Sequence, residues 1–192
     1  MILLYGTRLF KIDFLIILKM SKKLLIKKSK IPAAGDGLFA KKIFHKNEVV
    51  STYFGPVLPK EHIYKSYVKD PDKYLKKIHP YVRDINETHV VIGTKDKDLM
   101  KCGVLINDFA KLSSINKEDI QEYVNKSMKN ANVKIMNATN HPIYVTIKRV
   151  KKGEEFYAHY SIGYWLMEMG MKPEQIDELN TKYNFESFYK NF

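Results

Sequence analysis

The apolar residues of this chain come in short pieces, and that brevity constrains the fold more than any other feature. Runs with strand character occupy residues 24–28, 37–41, 49–54, 81–85, 89–94, 133–137, 143–150 and 155–159, each stopped by turn-forming or charged residues. Pieces of this length, alternating or rich in β-branched and aromatic residues, read as strands. Helical patterns are fewer: residues 60–69, 98–106, 116–126, and a tail from Tyr164 in which Pro173 starts a new helix and Asn184 stops it. Strands and helices do not alternate as in a doubly wound sheet, and no Gly-rich phosphate loop opens a βαβ unit. The expectation is a mostly β fold with short helices and a helical C-terminal tail. A chain of 192 residues is the size of one domain with a real core.

The charge is lopsided, with 33 Lys and Arg against 21 Asp and Glu, a formal balance of +12. Such a surface attracts polyanions or acidic partners, so nucleic acid, nucleosomes and anionic membrane surfaces are all open. An AT-rich coding sequence produces the same excess of Lys, Asn, Ile and Tyr, and charge alone decides little. The single cysteine, Cys102, excludes an internal disulfide and a cysteine-cluster zinc site within one chain, which fits a reducing compartment. The six histidines form no metal-spaced pair on a recognisable helix, and no metal is expected.

Residues 1–20 are apolar but broken by Arg8, Lys11 and Asp13, and no run approaches the roughly 20 residues of a spanning helix. They also lack the pattern of a signal peptide. Met20 is followed by Ser21-Lys22-Lys23, which reads as a fresh start. The stretch is either an upstream extension or a short docked element. The triplets beginning at Asn86, Asn125 and Asn137 match the glycosylation pattern, which carries no meaning without a secretion signal.

Three islands stand apart from ordinary core and surface. In Ala33 to Gly55, Gly35 and Gly37 flank Asp36, so the backbone can turn tightly and approach a ligand. In Gly103 to Leu112, Asn107 and Asp108 follow an apolar run; alone they read as a cap or turn. In Gly153 to Trp165, a turn and an acidic pair lead into a run of aromatics. An extended backbone there puts Phe156, Ala158 and Tyr160 on one face and Tyr157 and His159 on the other.

Taken in order, these islands resemble the SET domain of protein lysine methyltransferases. The first resembles that family's opening Gly-x-Gly segment followed by Glu48 and Tyr53-x-Gly55; the second resembles its apolar-Asn-His segment; Gly153-Glu154-Glu155 leading to Tyr160 resembles its close. The resemblance implies a β-clip fold of small curved sheets with a knot-like threading, in which the segment of Asn107 meets that of Tyr160. It divides the chain into an extension over 1–20, a SET domain over 21–165 and a helical tail over 166–192.

The resemblance also implies a chemistry. Methyl transfer from S-adenosylmethionine needs a neutral lysine amine, although free lysine titrates near 10.4. A narrow, partly dry aromatic channel disfavours the ammonium and aligns its nitrogen. By resemblance Tyr160 and Tyr53 are catalytic, with Tyr53, Tyr157 and Ala158 lining the substrate channel. Gly35, Asp36 and Gly37 would hold the cofactor's methionine end with Asn107, His89 falls at a further contact, and Asp108 contributes through its backbone. Trp165 or Tyr164 covers the adenine, or Trp165 is plain core. Ala158, where the family often has Tyr or Phe, leaves space for two or three methyl groups. Asp108 replaces the family's usual His, and the cysteine-rich zinc tail is absent, leaving the helical tail to complete the channel. The implied partner is a protein lysine, on histone or nucleosome, in a nuclear or chromatin-associated setting that includes a host cell's, with no membrane and incidental nucleic-acid contact. The rivals are a non-catalytic basic module that binds chromatin, RNA or another acidic partner, and a methyltransferase of a non-histone protein.

Overall fold

Short strands need partners close by, and the chain supplies them in three small antiparallel sheets instead of one large one. The computed structural model describes residues 22–96, 98–137 and 141–190. The expected extension over 1–20 and part of the triplet at Asn137 lie outside them. β1 (Leu24–Lys28) pairs with β2 (Asp36–Ala40), from Leu24 opposite Ala40 to Lys28 opposite Asp36. In the second sheet β3 (Val49–Thr52) lies beside β8 (Ile143–Thr146), which also pairs with β7 (Val133–Met136). In the third, β4 (Val57–Pro59) and β5 (Val82–Asp84) flank β6 (His89–Ile92). The mostly β architecture with short helices is therefore observed.

Two helices cover the third sheet: α1 (Lys60–Lys69) and α2 (Pro71–Lys77). The apolar pattern did not reveal α2; its signal is local, since Asp70 accepts a hydrogen bond from the Lys73 N–H and Pro71 occupies the first turn. The helix expected over 98–106 is two single 3-10 turns instead, Leu99–Lys101 and Gly103–Leu105. Asp98 caps the first by accepting from the Met100 N–H, and Cys102 then bridges to Tyr53, drawing the backbone out of a helical ladder.

The strand expected over 155–159 is likewise not regular. Its backbone changes partners: the Phe156 N–H donates to Leu38 O at 2.8 Å, the Ala158 N–H to Asn107 O at 3.0 Å. The alternation of side chains survives. Phe156 and Ala158 enter the main core, where Phe156 meets Phe44 edge to face with centroids 5.1 Å apart. Burying each such ring contributes about 2–3 kcal/mol.

The remaining helices form a second core. α3 (Lys117–Asn130) starts at Asn116, whose side chain accepts from the Asp119 N–H, and buries Ile120, Tyr123, Val124 and Ser127 along one stripe. Against it pack α4 (Ile162–Glu168), α5 (Pro173–Tyr183) and a 3-10 turn at Phe185–Tyr189. Pro173 opens α5 as expected, and Asn184 ends it in the left-handed conformation at φ 50°. Among the described residues no helix is long and apolar enough to cross a membrane.

Candidate active site

Tyr160 is held at its backbone and at its hydroxyl by a segment that precedes it by more than fifty positions. Its N–H donates to Asp108 Oδ2 at 3.0 Å, and its hydroxyl donates to Ile106 O at 2.6 Å. Just upstream, Asn107 and Tyr157 pair in a parallel bridge. Ser161 then turns the chain into α4 at φ 82° and ψ 154°, a conformation costly for a residue with a Cβ, and its side chain accepts from the Tyr164 N–H. Two segments far apart in sequence thus meet around one phenol, as the resemblance implied.

Tyr160 lines a cavity of about 400 Å³ together with Ala34, Asp36, Asn107, Asp108, Tyr164 and Trp165. The turn at Gly35 and the closing aromatics, more than a hundred positions apart, share that space. Gly35 takes φ 78°, which lets the loop between β1 and β2 turn back over the cavity. The cavity wall takes Ala34 and Asp36, but neither glycine. The room left by Gly37 is filled from inside: a Cβ there would lie 2.2 Å from Glu155 Oε1.

Glu155, 1% exposed, is more than one residue of a motif, because it organises this wall. Its carboxylate accepts from Ser29 Oγ at 2.6 Å, the Lys30 N–H at 2.8 Å and the Tyr157 hydroxyl at 2.8 Å. Asn107 Nδ2 donates to Asp36 O at 3.2 Å and to Glu155 Oε1 at 3.4 Å, joining the turn to the carboxylate.

Asp108 is a second buried hub, 6% exposed. Besides the Tyr160 N–H it accepts from the Tyr123 hydroxyl at 2.6 Å, Ser127 Oγ, Trp165 Nε1 at 3.3 Å and the Ala110 N–H at 3.3 Å. Its side chain, more than its backbone, makes the site. Ser127 also reaches His159 Nδ1 at 2.8 Å, and His159 Nε2 meets the Tyr189 hydroxyl at 3.1 Å, so the tail is tied to the same network. Burial lowers the His159 pKa, and the charge of Asp108 opposes that shift.

Tyr160 also joins a cluster of tyrosines. Tyr53 and Tyr144 are buried with ring centroids 6.3 Å apart, and Tyr160 meets Tyr164 edge to face at 4.8 Å. The Tyr53 hydroxyl donates to Tyr81 O at 2.9 Å, and Tyr81 in turn lines the cavity. Ala158 belongs to the same core as Tyr53 and Tyr144. Into the cluster comes Arg83 of β5, its guanidinium carbon 4.5 Å from the ring centre of Tyr160, 5.0 Å from Tyr164 and 5.6 Å from Tyr53. Burial raises the pKa of Tyr160 well above its ordinary value and also raises that of Tyr53, and it pushes Tyr164 up to about 12. The phenols therefore stay protonated at neutral pH.

Two expected members lie elsewhere. His89 pairs with Pro59 across the third sheet, its ring bonded to Thr88 Oγ1 at 2.9 Å, and it is not on the cavity wall. Tyr157 turns to Glu155 and sets its ring against Phe109 at 5.3 Å, apart from the tyrosine cluster, because alternation sends it to the opposite face from Ala158 and Tyr160. Trp165 lines the cavity and anchors Asp108 at once. Arg83 and Tyr144 carry no local signal, because packing between sheets brings them in; Lys111 reaches the cavity wall simply by following Asn107 and Asp108 in the same loop. Among the described residues no group of three His, Cys, Asp or Glu side chains could hold a metal ion.

Comparison with known proteins adds the following. Similar solved structures include a chain of an active polycomb repressive complex 2 in the stimulated state, with 19% identity over 72% of this chain and 15% of that chain at a TM-score of 0.48. A chain of an inhibitor-bound humanized mutant of the Chaetomium thermophilum Polycomb Repressive Complex 2 gives 18% identity over 72% and 15%, at 0.45. The chain thus spans under a sixth of the length of these matches. No curated protein matches it. The model of the SET domain matches residues 35–161, about two thirds of the sequence, taking in the first island from Gly35, the whole of the second and the third as far as Ser161. With the cavity, the meeting of the two segments and the tyrosine cluster in place, this match establishes that the chain belongs to the SET domain family.

Proposed function

We propose that the protein is an S-adenosylmethionine-dependent protein-lysine N-methyltransferase. The observation that carries this reading is the position of Tyr160, whose ring is shared by the cavity and the tyrosine cluster. A cofactor on one side and a lysine stem on the other would meet at its hydroxyl.

The residues on the cavity wall fit such a cofactor. A sulfonium amino acid joined to a nucleoside needs π faces and charges of both signs; the wall offers Tyr160, Tyr164 and Trp165 with Asp36, Lys95 and Lys111. When bound, the cofactor supplies an electrophilic methyl group on a positive sulfur. The chain's own residues do the rest. Tyr53 and Tyr144 provide apolar walls that favour the uncharged amine. The Tyr160 hydroxyl proton is committed to Ile106 O, so its oxygen faces the reaction as an acceptor that stabilises positive charge. Ala158 leaves room for more than one methyl group. Asp108, satisfied by five donors, keeps Tyr160 and Trp165 in place where the family more often uses His.

A lysine of histone, presented on a nucleosome, is the substrate this reading favours, and the net charge of +12 suits an approach to that polyanion in a nucleus. Calorimetric titration with S-adenosylmethionine, followed by radiolabelled transfer to histone octamers and to cell extract, tests it. Binding and transfer are expected, with Tyr160→Phe losing about a hundredfold or more in rate. Absence of cofactor binding would leave a non-catalytic basic module; label on extract proteins but not on histones would redirect the substrate.

A further inference from the structure

The tyrosine cluster already contains a cation. Arg83 points its guanidinium at the faces of Tyr160, Tyr164 and Tyr53, and Nη1 donates to its neighbour's carbonyl, Val82 O, at 2.8 Å. Among the described residues no carboxylate forms an ion pair with it. Elsewhere lysines pair with acids on the surface, as Lys60 does with Asp84, the residue next to Arg83. A cation held by rings, the Tyr144 hydroxyl and one carbonyl, with no counter-charge, sits in the kind of aromatic cage that accepts ammonium ligands.

We infer that Arg83 occupies the seat of the substrate's ammonium, so that a target lysine gains the channel only by displacing it. The inference rests on the reading of the tyrosine cluster as the lysine channel. Its physical basis is exclusion: two cations cannot share one small cage without strong repulsion in a medium of low dielectric. Arg83 is held on the side chain's own flexible stem in the edge strand β5, one residue beyond Val82, while the rings around it are fixed from other elements. The seat is rigid and its occupant is the part free to leave. Substrates that draw the guanidinium away, or bind strongly enough outside the channel to offset its loss, are admitted; others are refused. Arg83 therefore sets acceptor affinity rather than the rate of the transfer itself.

A substitution turns this into a self-reporting test. In Arg83→Lys the new side chain carries an amine into the same cage. If the seat is that of the substrate, this amine is methylated: the nitrogen lone pair forms the N–C bond, the C–S bond of the sulfonium breaks with its electron pair kept by sulfur, and the amine's proton passes to solvent. Incubation of full-length Arg83→Lys with S-adenosylmethionine and peptide mass spectrometry should find methyl on position 83, at a yield at least tenfold above that on any other lysine of the chain. Arg83→Ala should lower the KM for histone octamer several-fold while kcat stays within about threefold of the parent. Arg83→Met keeps the stem and replaces Arg83→Ala if that variant does not fold. Cofactor titration of the parent separates the two readings. If the cofactor binds and octamer is labelled, but position 83 stays unmodified and removal of the guanidinium raises KM, the gate is overturned and the methyltransferase stands. If the cofactor does not bind, the methyltransferase falls, and titration with n-butylammonium chloride decides the cage: binding to Arg83→Ala but not to the parent supports an occupied cation seat, and binding to neither overturns it.

Discussion

Tyr160 stands between two environments built on opposite principles. Behind its backbone, Asp108 is an anion satisfied by five converging donors from four segments of the chain. Before its ring, Arg83 is a cation held by π faces, with hydrogen bonds to the Val82 carbonyl of its own strand and to the Tyr144 hydroxyl. The first arrangement is directional and buried, so each donor is committed and none can be lost without leaving an unsatisfied group. The second is diffuse, and aromatic faces accept one cation as readily as another. The contrast teaches where this molecule keeps its geometry and where it leaves room for exchange.

Breaking the anionic hub should have the largest effect. Asp108→Ala abandons the Tyr123 and Ser127 hydroxyls, the Trp165 indole and the Tyr160 N–H in the interior, and should cost about 3–5 kcal/mol of stability in urea denaturation, the range for removing one partner of a buried charged network.

A smaller effect follows from pH. His159, facing Asp108, Tyr123, Ser127 and Tyr189, has its folded pKa lowered by burial, so the unfolded chain binds its proton first. The stabilisation from keeping this ring neutral is complete above the unfolded pKa near 6.5 and fades as pH falls below it, by on the order of 1 kcal/mol per unit of separation between the two pKa values. The melting temperature should therefore drop on acidification from pH 7 toward 5, and His159→Gln should flatten that drop.

The smallest effect belongs to the cage. Arg83→Met keeps a stem that fills the space and should shift stability by less than about 1 kcal/mol, since the cation–π contacts given up are offset by no longer burying a charge. A loss comparable to that of Asp108→Ala would erase the distinction between committed and exchangeable contacts.

Much of this was legible in the sequence because it is local. Turn residues and short apolar runs gave the strands at Asp36–Ala40 and Val133–Met136 to within a residue, while the run over 143–150 pairs only along Ile143–Thr146 and Val57–Pro59 carried no such signal; Pro173 and Asn184 bracketed a tail helix. Side-chain alternation placed Ala158 and Tyr160 on one side and His159 on the other even though no regular ladder forms there. What stayed hidden depends on contacts across elements. Glu155 looks like one acid of a surface pair until Gly37 makes room for it, and Ser127 looks like a polar position in a helix until Asp108 arrives opposite. Arg83 alternates ordinarily within a short edge strand, and only the packing of three tyrosine-bearing segments gives it a cage.

The Glu155 carboxylate has a bearing on how the protein comes into being. It clasps Ser29 and Lys30, residues made more than a hundred positions earlier. Synthesis must pass position 155 before that clasp can close, so the cavity wall cannot take shape while only the glycine loop has been made, and a chain cut before Glu155 would carry the loop without the acid that anchors it.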